Sequence, residues 1–276
     1  MSAPGLYVYA IVPAADTATE LGTGINNSAV RTVVAAGGLA AVVHEHDDPP
    51  YQGPDSEVER WVLEHSDVVD RAWESAGTIL PVSFNVIVSP DEGSDTSADE
   101  RLVQWLTTNA SALSTHLDRL RGMVELRVEI SLNQEAVGET SEEVRALRED
   151  LDHRPPGVQR LYRKRLATLE QEVTERLADR LYPDFRRRLA ALSTDLAETR
   201  SPARTPGLVS VLSVSLLVPD DGVQQVGLEL AAIRDERPGS EIRYLGPWPP
   251  YSFADVPELG SAGVGDGASQ EATAGE

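Results

Sequence analysis

Hydrophobic positions along the chain fall into two periods, one close to 2 and one close to 3.6. Leu6–Val12 is continuously apolar and stops at Pro13, which reads as a buried strand. Residues 14–28 are small and polar and read as a loop. Arg31–Ala36 and Leu39–Val43 flank the turn Gly37-Gly38 and can pair as a hairpin. His44–Pro54 holds three prolines and is expected to be a loop. From Ser56 the period becomes helical: Val58, Trp61, Val62, His65, Val69, Ala72, Trp73 and Ala76 share a stripe, with Gly77 as the stop. Ser56 and Glu59 have capping-box spacing, as do Ser97 and Glu100. Between them Thr78–Val88 reads as extended and interrupted at Pro81, and Asp91–Asp99 as an acidic loop. Leu102, Leu106, Leu113, Leu117 and Leu120 mark the next helix.

From Gly122 the pattern restarts. Val124–Leu132 alternates apolar and polar side chains and predicts a half-buried antiparallel strand. Two leucine-rich stripes, Leu166–Leu181 and Phe185–Leu196, lie on either side of Pro183. They predict long helices over 156–199, as a hairpin or as one kinked rod. Leu208–Val218 reads as a strand. Asp220-Asp221 is placed to cap a helix carrying Val223, Val226, Leu230 and Ile233. Glu241–Leu245 reads as a last strand, and Pro247–Phe253 as extended. From Glu258 onward the chain is Gly, Ala, Ser and acid, with no core-forming residues, and is expected to be disordered. The expectation is α+β in two domains, 1–121 and 122–257, with an acidic tail over 258–276. The second domain has the order β-α-β-α-β, close to the split plan of ferredoxin-like folds.

Charge narrows the function classes. The 276 residues carry 24 basic and 45 acidic side chains, a formal net charge of −21. A phosphate backbone or an anionic bilayer surface repels such a chain. It has no cysteine, hence no disulfide, thiol nucleophile or thiolate metal site. There is no signal-peptide pattern and no run near the ~18 apolar residues of a membrane span, so a soluble cytoplasmic protein is expected. Lys164 is the sole lysine. Acid excess with almost no lysine fits a salty cytosol, where the Debye length shrinks to about 3 Å at 1 M salt.

Catalytic signals are weak. His44-Glu45-His46 is the most metal-like cluster, yet it lacks the HExxH spacing and is read as structural or solvent-facing. His65 sits on the apolar side of its helix and reads as a satisfied core histidine. Acid pairs such as Asp47-Asp48 follow from composition. No phosphate loop, dinucleotide fingerprint or nucleophile elbow is present. No enzyme, cofactor, metal or small-molecule substrate is expected.

Two segments stand out as contact candidates. Residues 154–200 hold 11 basic and 7 acidic side chains, so +4, against −25 for the rest. Arg160, Arg163 and Arg165 form one group with Lys164, and Arg186, Arg187 and Arg188 another. They are either a solvated helical face with ion pairs or a patch for an acidic partner. The segment PWPPYSF places Trp248, Tyr251 and Phe253 among three prolines. It reads partly as a seal on the domain and partly as a rigid arm of aromatic anchors.

With these residues in view, the chain resembles the GvpL/GvpF family of gas vesicle proteins. Tyr7–Val12 and Gly38–Val43 look like the family's first strands. Leu63–Val68 followed by Leu80–Phe84 resembles its helix and proline-broken strand. Leu245–Phe253 resembles its C-terminal signature and is the most specific match. The likeness runs from residue 6 to about 253. The chain departs from the family pattern at His65-Ser66, in place of His-Glu, at Asn85, in place of Gly, and over 133–160. Length and the lysine-poor, acidic composition look like the longer, L branch from halophilic archaea. The resemblance implies two modified ferredoxin-like domains and an accessory role in building gas vesicles, at the vesicle or in the cytoplasm. It implies binding of the small hydrophobic shell protein and of other accessory proteins. The alternatives are a minor structural component retained in the vesicle wall, and an enzyme using His44, Glu45 and His46.

Overall fold

Leu6–Val12 lies within the central strand of the first sheet. In the computed structural model, which describes residues 4–16, 21–90, 96–199 and 205–259, β1 (Gly5–Pro13) pairs antiparallel with β3 (Leu39–His46). β3 in turn pairs with β2 (Arg31–Ala35) as a hairpin. The other edge of β1 takes two short strands, β4 (Leu80–Pro81) and β5 (Ile87–Val88). The interruption between them passes through Asn85, whose φ of 73° is left-handed. Asparagine tolerates that region better than other non-glycine residues, which accounts for Asn85 where the family resemblance expects glycine.

Helices cover both faces of this sheet. α1 (Asp55–Ala76) packs Trp61, Val68, Val69, Ala72 and Ala76 against Tyr7, Tyr9, Val12, Ala40 and Val42. Strand alternation turns Leu6, Val8, Ile11, Ala41 and Val43 to the opposite face. There α2 (Ala98–Thr108) and α3 (Ala110–Leu120) pack on β1 and β2. Their five predicted leucines are all at most 2% exposed, each burial stabilising by about 1.5–3 kcal/mol. The predicted single helix is broken at Asn109, whose side chain bonds the Trp105 carbonyl at 2.8 Å. The Ser97–Glu100 capping box is present in both directions. The Ser56–Glu59 box is not. α1 begins one residue earlier, the Pro54 carbonyl accepts from Glu57 and Val58, and Ser56 lies inside the helix.

The second compact unit, Gly122–Phe253, is built on β6 (Met123–Asn133). β6 pairs antiparallel with β8 (Leu208–Pro219) on one side and β9 (Ser240–Trp248) on the other. β7 (Asp195–Glu198) flanks β8. Between β6 and β7 run α4 (Gln134–Thr140), α5 (Glu142–Asp152) and α6 (Pro156–Ala190). α7 (Val223–Glu236) precedes β9. Apolar side chains of β6 and β8 in register, such as Leu126 with Leu216 and Val128 with Val214, share one face. α6 contributes Leu181, Phe185 and Leu189 to this core, and α7 contributes Val226, Leu230 and Ile233.

In four places the structure decides between, corrects or adds to the expectations for this half. The two leucine stripes form one 35-residue helix that runs through Pro183 and stops at Ala190, not 199. Leu196 belongs to strand β7, whose four residues are too short to reveal a period. Residues 134–152 form helices α4 and α5, capped by the Asn133 and Ser141 side chains. Asp220-Asp221 lies in a 3-10 turn and makes no side-chain cap on α7. Of the expected disordered tail, all but Glu258 and Leu259 lies outside the described residues. Glu258 accepts a bond from Trp105 Nε1 at 3.1 Å. Among the described residues no helix is long and apolar enough to cross a membrane.

Candidate functional site

The metal-like motif is absorbed into the first unit's core. His44 and His46 belong to β3, not to a loop, and both are buried. His44 stacks on Tyr7 with centroids 4.9 Å apart. Its Nε2 lies 3.3 Å from Tyr51 Oη, and His46 Nε2 lies 3.1 Å from the Pro49 carbonyl. His65 is also buried. A self-consistent chain runs through it: the Asn85 amide donates to Tyr7 Oη, Tyr7 donates to His65 Nδ1 at 2.9 Å, and His65 Nε2 donates to the Val82 carbonyl at 3.1 Å. That chain requires a neutral imidazole. Burial pushes the pKa of His65 down to about 4. Burial, then the charges of His46 and His65, does the same to His44. Among the described residues, no group of three or more His, Asp or Glu side chains could hold a metal. Asn85 ties this network to the surface loop by bonding the Tyr51 amide at 2.8 Å and the Tyr51 carbonyl at 2.9 Å.

The C-terminal segment is the more informative site. β9 is an edge strand, and its register against β6 jumps between Arg127↔Leu245 and Glu125↔Trp248. The bulge is made by Gly246 and Pro247. Gly246 has φ 117°, and a Cβ there would stand 2.7 Å from the Glu125 carbonyl, so only glycine fits. Register pairing puts Leu245 and Trp248 on the same face as Arg127 and Glu125. Pro249 and Pro250 are buried, and residues Tyr251–Phe253 form a 3-10 turn rather than an extended end.

Glu125 holds that turn. It is buried, and its two oxygens accept from the Ser252 amide at 2.7 Å and the Ser252 hydroxyl at 2.6 Å. Ser252 Oγ also bonds Ser215 Oγ at 3.1 Å. Trp248 and Tyr251 remain 41% and 37% exposed, and Leu245 is exposed on the same strand face as Trp248, while Tyr244 is exposed on the opposite face. Phe253 is 7% exposed and serves as the anchor. Sequence reasoning missed Glu125, because it occupies the polar position of the alternating strand, as Arg127 and Glu129 do, and carries no local signal.

The two arginine groups separate. Arg186 bonds Glu198 at 3.0 Å, and Arg187 pairs with Asp184. Arg188 is half-buried and joins α6 to α7 through Glu229 at 2.5 Å and Glu236 at 2.7 Å. Arg160, Arg163 and Arg165 stand exposed near the start of α6 with Lys164. Arg163 bonds only the Gln159 side chain, and none of the four makes an ion pair among the described residues. Farther along α6, Arg176 pairs with Glu143 of α5 at 3.0 Å. A groove of about 760 Å³ in the second unit is lined by Glu129, Glu175, Asp179, Glu241 and Arg243, a mostly anionic wall.

The mixed α+β fold is shared with solved gas vesicle proteins. GvpF from Anabaena sp. PCC7120 matches with a TM-score of 0.66 at 18% identity, over 93% of this chain and 98% of that one. GvpF from Microcystis aeruginosa matches at 0.63 and 19%, over 91% of this chain and 99% of that one. The family model described as gas vesicle synthesis protein GvpL/GvpF matches residues 5–255, so the chain belongs to that family. Gas vesicle protein L1 of Halobacterium salinarum is 30% identical over 93% of this chain and 92% of its own length. Gas vesicle protein L of Haloferax mediterranei is 30% identical over 86% and 74%.

Proposed function

We propose that this protein is an accessory factor of gas vesicle assembly, acting in the cytoplasm and at the vesicle by binding the shell protein, other accessory gas vesicle proteins, or both. The observation that carries the reading is the exposed set Leu245 and Trp248, on one face of an edge strand, with Tyr251 in the turn that follows. Exposed aromatic anchors on a rigid support are the usual centre of a protein contact. Rigidity here comes from the Glu125–Ser252 bonds and the buried Phe253. A shell subunit with apolar surface aggregates if left uncovered, and a highly charged carrier with an aromatic contact row suits its protection. The chemistry is binding, with no reaction, cofactor or small-molecule substrate. Both units are modified ferredoxin-like folds in this reading, supported in the second by the order β-α-β-β-α-β. The haloarchaeal relatives and the −21 charge support a salt-adapted host.

The test is affinity capture of the tagged full chain from vesicle-forming cells, in buffer near cytosolic salt. The shell protein or other vesicle proteins co-purify with wild type, and Trp248→Ala with Tyr251→Ala lowers their recovery about tenfold or more. Recovery of no vesicle protein from cells making vesicles overturns the reading. Washed vesicles that retain the protein in stoichiometric, unextractable form favour a wall component instead.

A further inference from the structure

The first half of α6 differs from the rest of the molecule. Residues 156–169 contain four basic side chains and no acid, within a chain of net charge −21. None of those residues is buried; the helix meets the core only from Thr174 onward. Leu161 is 67% exposed. One turn before it stands exposed Val158, and one turn after it stand Lys164 and Arg165, with Arg160 alongside. An apolar centre ringed by unpaired cations is a contact surface without a partner in this unit.

The outer face of α1 is its chemical complement. Leu63 is 66% exposed, with Val62 exposed beside it. Glu59 lies one turn before Leu63 and Asp67 one turn after, with Asp70 and Glu74 continuing the same face. All four carboxylates are exposed, and none makes an ion pair among the described residues. Partial desolvation, then the charges of Asp67 and Glu74, outweighs nearby Arg71 and holds the Asp70 carboxyl above its usual range. The nearest cations of α1 are already engaged, Arg60 with Glu64 at 2.8 Å and Arg71 with the Leu21 and Thr23 carbonyls, so the face carries an excess of carboxylates where the α6 face carries an excess of cations.

We propose that this protein self-associates head to tail, the basic–apolar face of α6 (Val158, Leu161, Lys164, Arg165) docking on the acidic–apolar face of α1 (Glu59, Leu63, Asp67, Asp70) of a second copy. The contact is heterologous, because each copy offers a different surface, and it propagates beyond two copies unless the ring closes. Leucine against leucine supplies the buried centre, and close arginine–carboxylate pairs fix orientation even where salt screens longer-range attraction. One helix face on another makes a contact of the small, transient class. The proposal is independent of the Trp248 surface and of which vesicle protein that surface binds.

Sedimentation equilibrium of the full chain tests it, at a salt concentration where circular dichroism reports the folded state. Wild type has a mass that rises with concentration above the 29.8 kDa of one chain. R160E/K164E/R165E and E59R/D67R/D70R each lose association about tenfold or more, since like charges now face each other. An equimolar mixture of the two associates again, because each reversed face finds an opposite one. Leu161→Asn alone, a single exposed change, weakens association in the same direction and serves if a triple variant misfolds. A wild type that stays at one-chain mass at all concentrations overturns the proposal. So do triple variants that associate like wild type, or a mixture that does not recover association. A wild type that gains mass only when an acidic partner protein is added also overturns it and assigns the α6 face to that partner.

Discussion

Replacing Glu125 tests whether the C-terminal aromatic row is held by one buried carboxylate. Two bonds at 2.7 and 2.6 Å join it to Ser252, and bonds to a charged group are each worth about 1.5–3 kcal/mol. In Glu125→Leu both are lost and the Ser252 amide is left without its acceptor. Relief from burying a carboxylate offsets part of this, leaving a net local loss of about 3 kcal/mol. In Glu125→Gln the amide oxygen still accepts from the Ser252 N–H and the amide nitrogen donates to Ser252 Oγ. Only charge assistance is lost, about 1 kcal/mol. Hydrogen exchange of the peptide spanning residues 247–253 reads this locally. Exchange should speed up on the order of 100-fold in the leucine variant and less than about 10-fold in the glutamine variant. Unchanged exchange in Glu125→Leu, or equal effects of the two substitutions, refutes the reasoning.

Lowering pH from 6.5 to 4 should destabilise the first unit. His65 and His44 have folded pKa values pushed down to about 4. The unfolded chain therefore takes up protons in this window that the fold refuses, and stability is lost as pH falls; for His65 the loss reaches about 3 kcal/mol near pH 4. Urea titrations at several pH values read it, and His65→Gln should flatten the dependence. Arg188→Met removes the α6–α7 cross-link and should cost about 1–2 kcal/mol in thermal unfolding, whereas Arg187→Met, at an exposed pair, should cost under about 0.5 kcal/mol. Equal effects would contradict the burial argument. Dialysis from 2 M to 0.1 M KCl lengthens the Debye length to about 10 Å and should loosen the fold through self-repulsion at −21. Circular dichroism unchanged by that dialysis would argue against salt adaptation.

Periodicity alone determined the strong elements. Leu6–Val12, the alternation of Val124–Leu132 and the leucine stripes of α2, α3 and α6 are legible because burial on one face imposes a period on the sequence. The sequence marked PWPPYSF as part packed and part exposed, but only the structure separates buried Phe253 from exposed Trp248 and Tyr251. What a period of four residues or fewer cannot carry was decided by tertiary pairing. β7 exists because β8 offers an edge, and α1 starts at Asp55 because Pro54 supplies the free carbonyl. Helical spacing placed His65 inside, but charge and residue type did not reveal that Glu125, His44 and His46 lie there too. Glu125 is buried because Ser252 returns across 127 positions to meet it, while Glu129 on the same strand face is met by Arg127 and by Arg243 of β9. His44 and His46 are core residues because Tyr7, from a strand distant in sequence, stacks beside them. Among the arginines, α7 and β7 neutralise Arg188 and Arg186, while Arg160, Arg163 and Arg165 at the start of α6 meet no carboxylate among the described residues. Sequence distance hides such pairings, because the free energy that selects a partner depends on spatial neighbours the chain brings together only when folded.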